Sequence, residues 1–375
     1  MKGALKILQL GKFFPPHFGG IETFTYNLVT SLNNDGVTCD VLCSNQKFEL
    51  EESSDAGFNV TRTKSFGILL SVSLSPQIIS KLRQLWANYD IVHVHHPDPL
   101  GALALWLVKP KCRIVVTWHS DIVRQKWLAL FFAPLQNWLL KRADAIVATS
   151  SVYITGSEGL QKYPEKTSVI PLGVDPIPRV GTEDIQALRS SFPGKKYFVF
   201  SLGRLVPYKG YKNLIKAACS LTDDFQILIG GGGRLYPSLS KQIETLGVGS
   251  KVRLLGKVPD EKLALYYNMC DVFCLPSVSR NEAFGLVLPE AMSVGKPVIA
   301  TNIPASGVSW VNQHGVSGLN VEVNDPEGLA RAITLVCSDE QMKQKFSEGS
   351  QNRFEQCFTT AKMAQNYLEL YQSLF

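Results

Sequence analysis

Several features that define common protein classes are absent from this 375-residue sequence. Hydrophobic residues make up 45% of the chain. They form no apolar run of about 18 or more residues, so we expect no membrane-spanning helix. The sequence begins MKGALKILQL, which leads directly into a predicted strand and offers no signal peptide. Low-complexity tracts are also missing. We therefore predict a cytoplasmic protein.

Metal sites are not indicated either. The eight cysteines are scattered. The close pairs 39/43 and 270/274 have three residues between their members, and no second pair or histidine set completes a zinc site. No Asp-x-Asp motif occurs. His93, His95 and His96 alternate along a strand end, where we favour a structural role over a metal site. We predict that the protein works without a metal and with reduced, mostly buried thiols.

A dinucleotide cofactor is not expected. The segment IGGGGRLYPSL (229–239) follows a predicted strand, but Leu235 stands where the fingerprint requires its third glycine. We interpret these glycines as a close-packed turn and expect no cofactor. The charge balance, 38 basic minus 32 acidic residues, gives +6. This modest excess suits an anionic substrate or a membrane surface, and we expect no nucleic-acid partner.

Short apolar strands alternate with helical patterns along nearly the whole chain. Most of the strands are apolar throughout, as expected when helices cover both faces of a parallel sheet. An aspartate opens the strand after a helix at Asp90, Asp144 and Asp271, which indicates helix-to-strand turns. The predicted strands are 5–10, 37–43, 90–95, 113–118, 144–149, 167–170, 197–202, 225–229, 252–255, 271–275 and 297–300.

The alternation breaks once, at a segment rich in proline and glycine. We interpret 172–195 as a linker between two α/β domains, each a doubly wound, Rossmann-like parallel sheet. The predicted boundaries are 1–175, 176–358 and a C-terminal helix over 359–375. Met363, Tyr367, Leu370 and Tyr371 form an apolar stripe on this helix, which we expect to pack back on the N-terminal domain. The length agrees with two cores. Ligands of such sheets bind at the carboxyl ends of the strands, so we expect the two domains to face a shared cleft.

The loop GKFFPPHFGGIE is a candidate ligand site. A strand ends there, and an amphipathic helix begins immediately after Gly19 and Gly20. Glycine permits close approach to the backbone, and the first N–H groups of a helix bind anions. A plain tight turn explains the loop equally well.

Two further loops carry charged side chains next to predicted helix starts. SLGRLVPYKG places Arg204 and Lys209 on one strand-to-helix loop, suited to a diphosphate, although a solvated surface loop is the alternative. In NEAFGLVLPEAM, Pro289 belongs in a first helical turn, so the N–H groups of Phe284, Gly285 and Leu286 can face an anion. Glu282 and Glu290 flank that position and can accept sugar or ribose hydroxyls. First-turn dipole pairing is the alternative for Glu290.

In combination these motifs resemble the retaining glycosyltransferases of family 4, which have the GT-B fold. Four pieces match in order: PPHFGGIE, histidine-x-aspartate at 119–121, GRLVPYKG, and two glutamates with seven residues between them. The resemblance implies that Arg204 and Lys209 hold the donor diphosphate. The other roles that it implies are Gly19 and Gly20 at the donor phosphate, His119 near the anomeric centre, Asp121 in substrate binding, Glu282 at the sugar, Glu290 at the ribose, and Lys257 and Val258 at the base.

The resemblance also implies a nucleotide-diphosphate sugar as donor and retention of configuration. GDP-mannose is our first expectation, and UDP-glucose, UDP-galactose or UDP-N-acetylglucosamine the alternative. We expect a polyprenyl-diphosphate-linked saccharide as acceptor, in bacterial surface-polysaccharide assembly. A non-catalytic nucleotide-sugar-binding protein on the same fold, a phosphorylase and an epimerase are the competing functions.

A lipid-linked acceptor implies attachment to the anionic inner face of the membrane. Aromatic and basic residues in 123–145 fit a helix lying in the interface, and a core helix is the alternative. The candidate contacts are Arg62, Lys64, Phe66, Leu69, Leu70, Lys81, Arg83, Arg124, Lys126, Trp127, Leu128, Phe131, Phe132, Leu135, Trp138, Leu139, Lys141 and Arg142.

Overall fold

The computed structural model describes residues 5–17, 19–55, 57–69, 72–121 and 126–375, with residues 55 and 126–131 described by their backbone alone. The strands are β1 (Lys6–Leu10), β2 (Thr38–Ser44), β3 (Glu51–Asp55), β4 (Phe58–Thr63), β5 (Ile68–Leu69), β6 (Val72–Ser73), β7 (Ile91–His96), β8 (Arg113–Trp118), β9 (Ala145–Ala148), β10 (Thr167–Val169), β11 (Tyr197–Leu202), β12 (Phe225–Gly230), β13 (Val252–Gly256), β14 (Val272–Leu275), β15 (Val298–Thr301) and β16 (Gly318–Val321).

The helices are α1 (Gly20–Asn34), α2 (Gln77–Leu85), α3 (Pro99–Val108), α4 (Lys126–Arg142), α5 (Ser151–Thr155), α6 (Glu158–Gln161), α7 (Thr182–Ser190), α8 (Tyr211–Ala217), α9 (Tyr236–Thr245), α10 (Asp260–Met269), α11 (Val287–Ser293), α12 (Val308–Val311), α13 (Pro326–Ser338), α14 (Glu340–Cys357) and α15 (Thr360–Gln372). Short 3₁₀ turns lie between some of them. Within the described residues, no helix is both long enough and apolar enough to span a bilayer.

The chain divides into two compact units. Unit 1 comprises residues 1–173 and 360–375, and unit 2 comprises residues 174–359. Helix α15 therefore belongs to unit 1, where it packs against α1. Its side chains Tyr367 and Tyr371 are fully buried, as the apolar stripe of that helix requires.

Each unit is built on a predominantly parallel sheet. In the described residues of unit 1 the strand order of the large sheet is β10-β9-β8-β7-β1-β2-β4-β3, and within this sheet only β3 pairs antiparallel. In unit 2 the order is β13-β12-β11-β14-β15-β16. Helices connect successive parallel strands, as in doubly wound sheets. The predicted fold class of two Rossmann-like units is confirmed.

The three strand-opening aspartates stabilise the turns in which they lie. The Asp90 carboxylate accepts the backbone N–H of Lys6 at 2.9 Å. Asp144 accepts the N–H of Ile114, and Asp271 that of Phe198, each at 2.8 Å. Each carboxylate thus accepts a backbone N–H at or next to the start of a neighbouring strand. Their predicted structural role is confirmed.

The structure also contains elements that the sequence patterns missed. Helix α7 occupies the middle of the predicted linker 172–195, so the linker prediction was wrong there. Because α7 has no buried residue, it lacks the apolar stripe by which a helix is recognised. Strand β3 reads EESSD and has no apolar period. The short antiparallel pair of β5 and β6 and the edge strand β16 were likewise not predicted.

Candidate active site

In unit 2, three loops at the carboxyl ends of neighbouring strands pack on one another. The N–H of Gly203, after β11, donates to Gly230 at the end of β12, and Leu205 N–H donates to Gly232 at 2.8 Å. A Cβ on Gly231 would collide with the carbonyl oxygen of Gly203, so only glycine permits this contact. The glycine run is a close-packed turn, as predicted. It holds the 203–210 loop in place.

The 203–210 loop carries Lys209 into the interior. Lys209 is 8% exposed, and its Nζ lies 2.6 Å from Oε2 of Glu282, which is equally buried. Gly210 closes the loop with a left-handed φ of 69°, and a Cβ there would overlap the carbonyl oxygen of Pro276. Because β11 and β14 are adjacent, the loops that follow them bring the two charges together. The strand order changes direction at β11 and β14, where ligands bind in such sheets.

Glu282 is held by neighbours as well as by its charge partner. The hydroxyl of Ser277 donates to Glu282 Oε2 at 2.9 Å, and Ser306 donates to the Glu282 backbone carbonyl. The Glu282 N–H donates to Ser279. The carboxylate is thus fixed in one orientation, with its second oxygen, Oε1, available to further donors of a ligand.

Arg204 differs from Lys209 although both lie on one loop. Its side chain is exposed, and its guanidinium approaches the Tyr208 hydroxyl at 3.5 Å. A guanidinium in this position keeps its donors accessible for a bidentate contact with phosphate. The loop therefore offers one buried and one exposed cation.

Helix α11 begins where Pro289 predicts. Leu286 precedes its first residue, and Pro289 lies in the first turn. Gly285 has φ 81°, and a Cβ would meet Leu275 at 2.8 Å, so glycine is required at this turn. Phe284 is buried and packs edge-on against Phe358. The loop ahead of α11 is thus closely packed.

Glu290, in the first turn of α11, is linked to a tyrosine that sequence reasoning did not identify. Tyr267 of α10 is fully buried, and its hydroxyl donates to Glu290 Oε2 at 2.5 Å. Burial raises the pKa of Glu290, while the Tyr267 hydroxyl and the charge of Lys209 lower it. Lys209 therefore acts electrostatically on both glutamates. Nothing in the sequence LALYYNM marks Tyr267, since its partner is 23 residues away.

The predicted base loop follows β13. Lys257 is exposed and Val258 is partly buried. A Cβ on Gly230 would meet both Val258 and Leu202 at 2.9 Å, so these two side chains close over the glycine turn. The structure thus brings Val258 beside the glycine turn on which the 203–210 loop packs.

In unit 1, the predicted glycine loop leads into α1. Gly19 has extended backbone and occupies the N-cap position, and Gly20 is the first helical residue. Phe24, Leu28 and Leu32 of α1 are buried, as the pattern predicted, whereas Ile21 is only partly buried. The Glu22 carboxylate lies over Gly19, where a Cβ would touch it. An anion at this helix start would require Glu22 to move, because like charges repel.

His119 follows β8 and is 8% exposed. Its ring packs edge-on against Phe24 at 4.9 Å between centroids, and burial lowers its pKa to about 3. Asp121 accepts hydrogen bonds from Trp118 Nε1 at 3.0 Å and from the Ser157 hydroxyl at 2.8 Å. Asp121 therefore fixes the loop that carries His119.

The histidines of β7 have hydrogen-bonding or stacking partners. His93 bonds Thr117 and Tyr371, and His95 bonds Gln9. His96 stacks on Trp118 at 3.7 Å. Among the described residues, no group of three or more His, Cys, Asp or Glu side chains is placed to hold a metal.

Comparison with known proteins agrees with this arrangement. Residues 18–177 match a family described as Glycosyltransferase Family 4, and residues 183–353 match Glycosyl transferases group 1. The chain is 31% identical to O-antigen chain mannosyltransferase C of Escherichia coli, over 99% of each chain. It is 32% identical to D-rhamnosyltransferase WbpZ of Pseudomonas aeruginosa, over 91% of this chain and 88% of the relative.

A solved structure shares the fold. The Anabaena protein HepE, crystallised in complex with UDP, superposes with a TM-score of 0.78 at 23% identity, covering 98% of this chain and all of HepE. The two parallel-sheet units are those of the GT-B fold. The chain therefore belongs to the family 4 glycosyltransferases of bacterial surface-polysaccharide biosynthesis, and it is a hexosyltransferase.

Proposed function

We propose that the protein transfers mannose from GDP-mannose, with retention of configuration, to a hydroxyl of a lipid-linked saccharide. The observation that carries the chemistry is the position of Lys209, buried in an ion pair with Glu282 where the strand order changes direction. For the sugar, the argument rests on the relatives named for mannose and D-rhamnose transfer. These two sugars share the manno configuration, since D-rhamnose is 6-deoxymannose.

The proposed mechanism depends on the charge that develops on the leaving diphosphate. Arg204 and Lys209 stabilise it as fixed donors, and one such donor contributes about 3–4 kcal/mol in comparable sites. The N–H groups around Phe284, Gly285 and Leu286 add partial positive charge. As leaving-group charge grows, Lys209 strengthens its contact with phosphate while Glu282 keeps the ammonium in place.

Glu282 and Glu290 are proposed to bind hydroxyl groups. Glu282 accepts hydroxyls of the transferred sugar, and Glu290 accepts those of the nucleotide ribose. Since Glu282 is engaged with Lys209, it is poorly placed to act as a covalent nucleophile. We therefore favour attack on the same face, in which the acceptor oxygen bonds to the anomeric carbon and a leaving-phosphate oxygen takes its proton.

Further proposed roles follow the family resemblance. Lys257 and Val258 contact the base through their backbone. Gly19 and Gly20 approach the donor phosphate, which the lack of side chains on both residues permits once the Glu22 carboxylate moves away from Gly19. His119 contacts the transferred sugar, and Asp121 maintains its loop.

Membrane attachment is proposed through an exposed apolar patch in unit 1, formed by Phe48, Phe66, Ile68, Leu69 and Leu74. Phe66 and Phe48 are 68% and 62% exposed, yet their rings contact each other at 4.7 Å between centroids. Exposed clusters of large apolar side chains mark interaction surfaces. The hairpin β5–β6 carries Ile68 and Leu69, while the predicted contact Leu70 lies outside the described residues.

Two lysines supply positive charge beside this patch. Lys47 and Lys64 are exposed, and Lys64 Nζ lies 5.6 Å from the Phe48 ring centroid. Cations flanking aromatic side chains suit an anionic bilayer surface. An anionic membrane is therefore the partner that we propose for the patch.

Two of the cations that we predicted as membrane contacts form ion pairs within unit 1. Arg62 pairs with Glu51 at 2.9 Å, and Lys81 pairs with Glu52 at 2.7 Å, so neither offers net charge to a bilayer. Arg83 is exposed. Arg124 and the side chains of residues 126–131, including Lys126, Trp127, Leu128 and Phe131, lie outside the described residues.

The described part of α4 agrees better with the core alternative. Phe132 and Leu139 are buried, and Leu135 and Trp138 are partly buried. Lys141 and Arg142 close the helix, and Arg142 bonds to Asp144 at 2.9 Å. This half of the helix is therefore not part of the proposed membrane surface.

Calorimetry with a panel of nucleotides and nucleotide sugars tests the donor assignment. We expect GDP and GDP-mannose to bind at least tenfold more tightly than UDP and its sugars. Tighter binding of UDP would replace GDP-mannose with a UDP-sugar. Donor binding without transfer to any lipid-linked saccharide would favour a non-catalytic binding protein, and absorbance of a pyridoxal cofactor would indicate a phosphorylase.

A further inference from the structure

A line of buried polar side chains lies behind His119 in unit 1. Gln9 on β1 and His95 on β7 are 0% and 1% exposed. His95 Nε2 lies 2.9 Å from Gln9 Oε1, and His95 Nδ1 lies 3.2 Å from His119 Nε2. Strands β1, β7 and β8 are adjacent and parallel, with Gln9 in register with His93 and His95 in register with Thr117. The three side chains therefore follow a diagonal across the sheet, each two residues nearer the carboxyl ends of the strands than the one before.

The direction of these hydrogen bonds follows from the amide of Gln9. An amide oxygen only accepts, so His95 Nε2 carries the hydrogen. Burial lowers the pKa of His95 well below its ordinary value and that of His119 to about 3, so both rings are neutral. The Nδ1 atom of a neutral, Nε2-protonated His95 is an acceptor. His119 must then donate from Nε2, which leaves a lone pair on its Nδ1.

A second arm of the network begins at the Gln9 amide. Its nitrogen lies 3.5 Å from both the Tyr371 hydroxyl and Cys39 Sγ. The Tyr371 hydroxyl bonds His93 Nδ1, and His93 Nε2 bonds the Thr117 hydroxyl, each at 2.7 Å. The Gln9 amide nitrogen can donate to the Tyr371 hydroxyl, that hydroxyl to His93 Nδ1, and His93 Nε2 to the Thr117 hydroxyl. Each hydrogen is then used once. The orientation of the amide is thus consistent with every polar group in the cluster.

We propose that Gln9 is a positioning residue that acts through His95 to hold His119 as the Nε2–H tautomer, with Nδ1 free to accept a hydrogen bond from the transferred sugar. The sugar contact rests on the proposed function, whereas the tautomer does not. In the opposite tautomer, His119 Nδ1 would carry a hydrogen and would donate it to a hydroxyl of the nucleotide sugar instead of accepting one. The side chain at position 9 therefore determines whether His119 Nδ1 accepts or donates a hydrogen bond.

Long-range ¹H–¹⁵N NMR of the ¹⁵N-histidine-labelled full-length protein tests the tautomer without substrate. We expect His95 and His119 to give neutral Nε2–H patterns at neutral pH. An Nδ1–H pattern for His119 would overturn the proposal, even if the enzyme were active.

The variant Gln9→Met removes the acceptor while keeping the side-chain length. We expect mixed tautomers at His95 and His119, a fall in kcat of about tenfold and a donor KM within twofold of wild type. The matched control Thr117→Val removes the Thr117 hydroxyl from the second arm, including its hydrogen bond of 2.7 Å to the Tyr367 hydroxyl. It should leave the tautomer of His119 and kcat unchanged.

Kinetics use whichever nucleotide sugar the wild-type protein turns over, so a wrong donor assignment does not affect this test. Wild-type kcat in folded Gln9→Met, or an equal loss in both variants, would refute a specific role for Gln9. If Gln9→Met fails to fold, the wild-type spectrum still decides the tautomer.

Discussion

Lys209 and Glu282 form an ion pair of 2.6 Å in which each side chain is only 10% exposed. Charges of this kind are costly to desolvate and are tolerated only when paired and hydrogen-bonded. Here the pair lies at the carboxyl ends of two adjacent strands, and Ser277 supplies a further donor to Glu282. An ammonium held in this way is preorganised to meet the negative charge of a ligand.

The two cations of the 203–210 loop should respond differently to removal. Lys209→Ala leaves Glu282 buried without its partner, so we expect a loss of about 3–5 kcal/mol in the free energy of unfolding. Arg204→Ala, on the exposed side, should change stability by less than about 0.5 kcal/mol. Both should lower kcat/KM by about 100-fold or more. Urea unfolding and steady-state kinetics measure the two effects.

The double variant Lys209→Ala/Glu282→Gln separates stability from catalysis. Removing both charges should recover most of the lost stability, because no buried charge remains unpaired, while activity stays low. Near-wild-type kinetics for Arg204→Ala and Lys209→Ala would remove both residues from the mechanism.

Tyr267→Phe should affect binding of the nucleotide through Glu290. Loss of the hydroxyl removes a hydrogen bond that lowers the pKa of Glu290, so that pKa rises further. Since the ionised carboxylate is the better acceptor, the acid limb of the kcat/KM profile should move to higher pH, with KM rising more than kcat falls. Tyr266→Phe, at the neighbouring position, is the control. An unchanged pH profile for Tyr267→Phe would argue against ribose binding by Glu290.

His96 should make the protein sensitive to acid. Neither of its ring nitrogens, both buried, has a hydrogen-bond partner among the described residues, and burial lowers its pKa to about 3. At pH values between about 3 and the ordinary pKa of 6.5, His96 binds a proton in the unfolded chain but not in the folded chain. Stability therefore falls as the pH drops below about 6.5.

The variant His96→Phe keeps the stack on Trp118 and removes this proton uptake. We compare the free energy of unfolding of the variant with that of the wild type at each pH. The difference should shift in favour of the variant by about 2 kcal/mol between pH 8 and pH 5. Chemical denaturation at the two pH values measures the difference. Equal pH dependence in both proteins would show that His96 is not the responsible group.

The exposed patch of unit 1 should bind anionic bilayers. Replacing Lys47 and Lys64 with serine should weaken binding by about 2 kcal/mol, or roughly 30-fold, because each cation contributes about 1 kcal/mol near such a surface. Phe48→Ser/Phe66→Ser should also weaken it, whereas Trp106→Ser, at an exposed aromatic on α3, should not. Flotation with vesicles of phosphatidylglycerol and phosphatidylethanolamine measures binding.

High salt should release the wild-type protein from these vesicles, since screening weakens the attraction. Binding of GDP should be equal in all variants. No flotation at low salt would mean that the acceptor is soluble and that the patch serves another contact.

The sequence predicted those parts of the fold that depend on buried, regular patterns. Strand β8, buried from its second residue onward, was predicted with its bounds, 113–118. Helix α7 and strand β3 were missed because neither has an apolar period. In the site, Pro289 located the start of α11, since its missing N–H is compatible only with the first turn.

Supporting residues of the site could not be predicted in the same way. Tyr267 and Gln9 act through side chains that are distant in sequence and become neighbours only in the folded sheet. No local pattern encodes such a pairing. The pairing of Arg62 and Lys81 with glutamates was equally invisible, so exposed charge was overestimated from the sequence.

The most direct test of the central claim is the configuration of the product made from GDP-mannose. The purified protein is incubated with GDP-mannose and a lipid-linked saccharide in EDTA, and the new linkage is determined by NMR. We predict transfer that survives EDTA and an α-linked mannose, the configuration of the donor. A β-linked product would contradict the retaining mechanism, and loss of transfer in EDTA would contradict a reaction that needs only the chain's own charges.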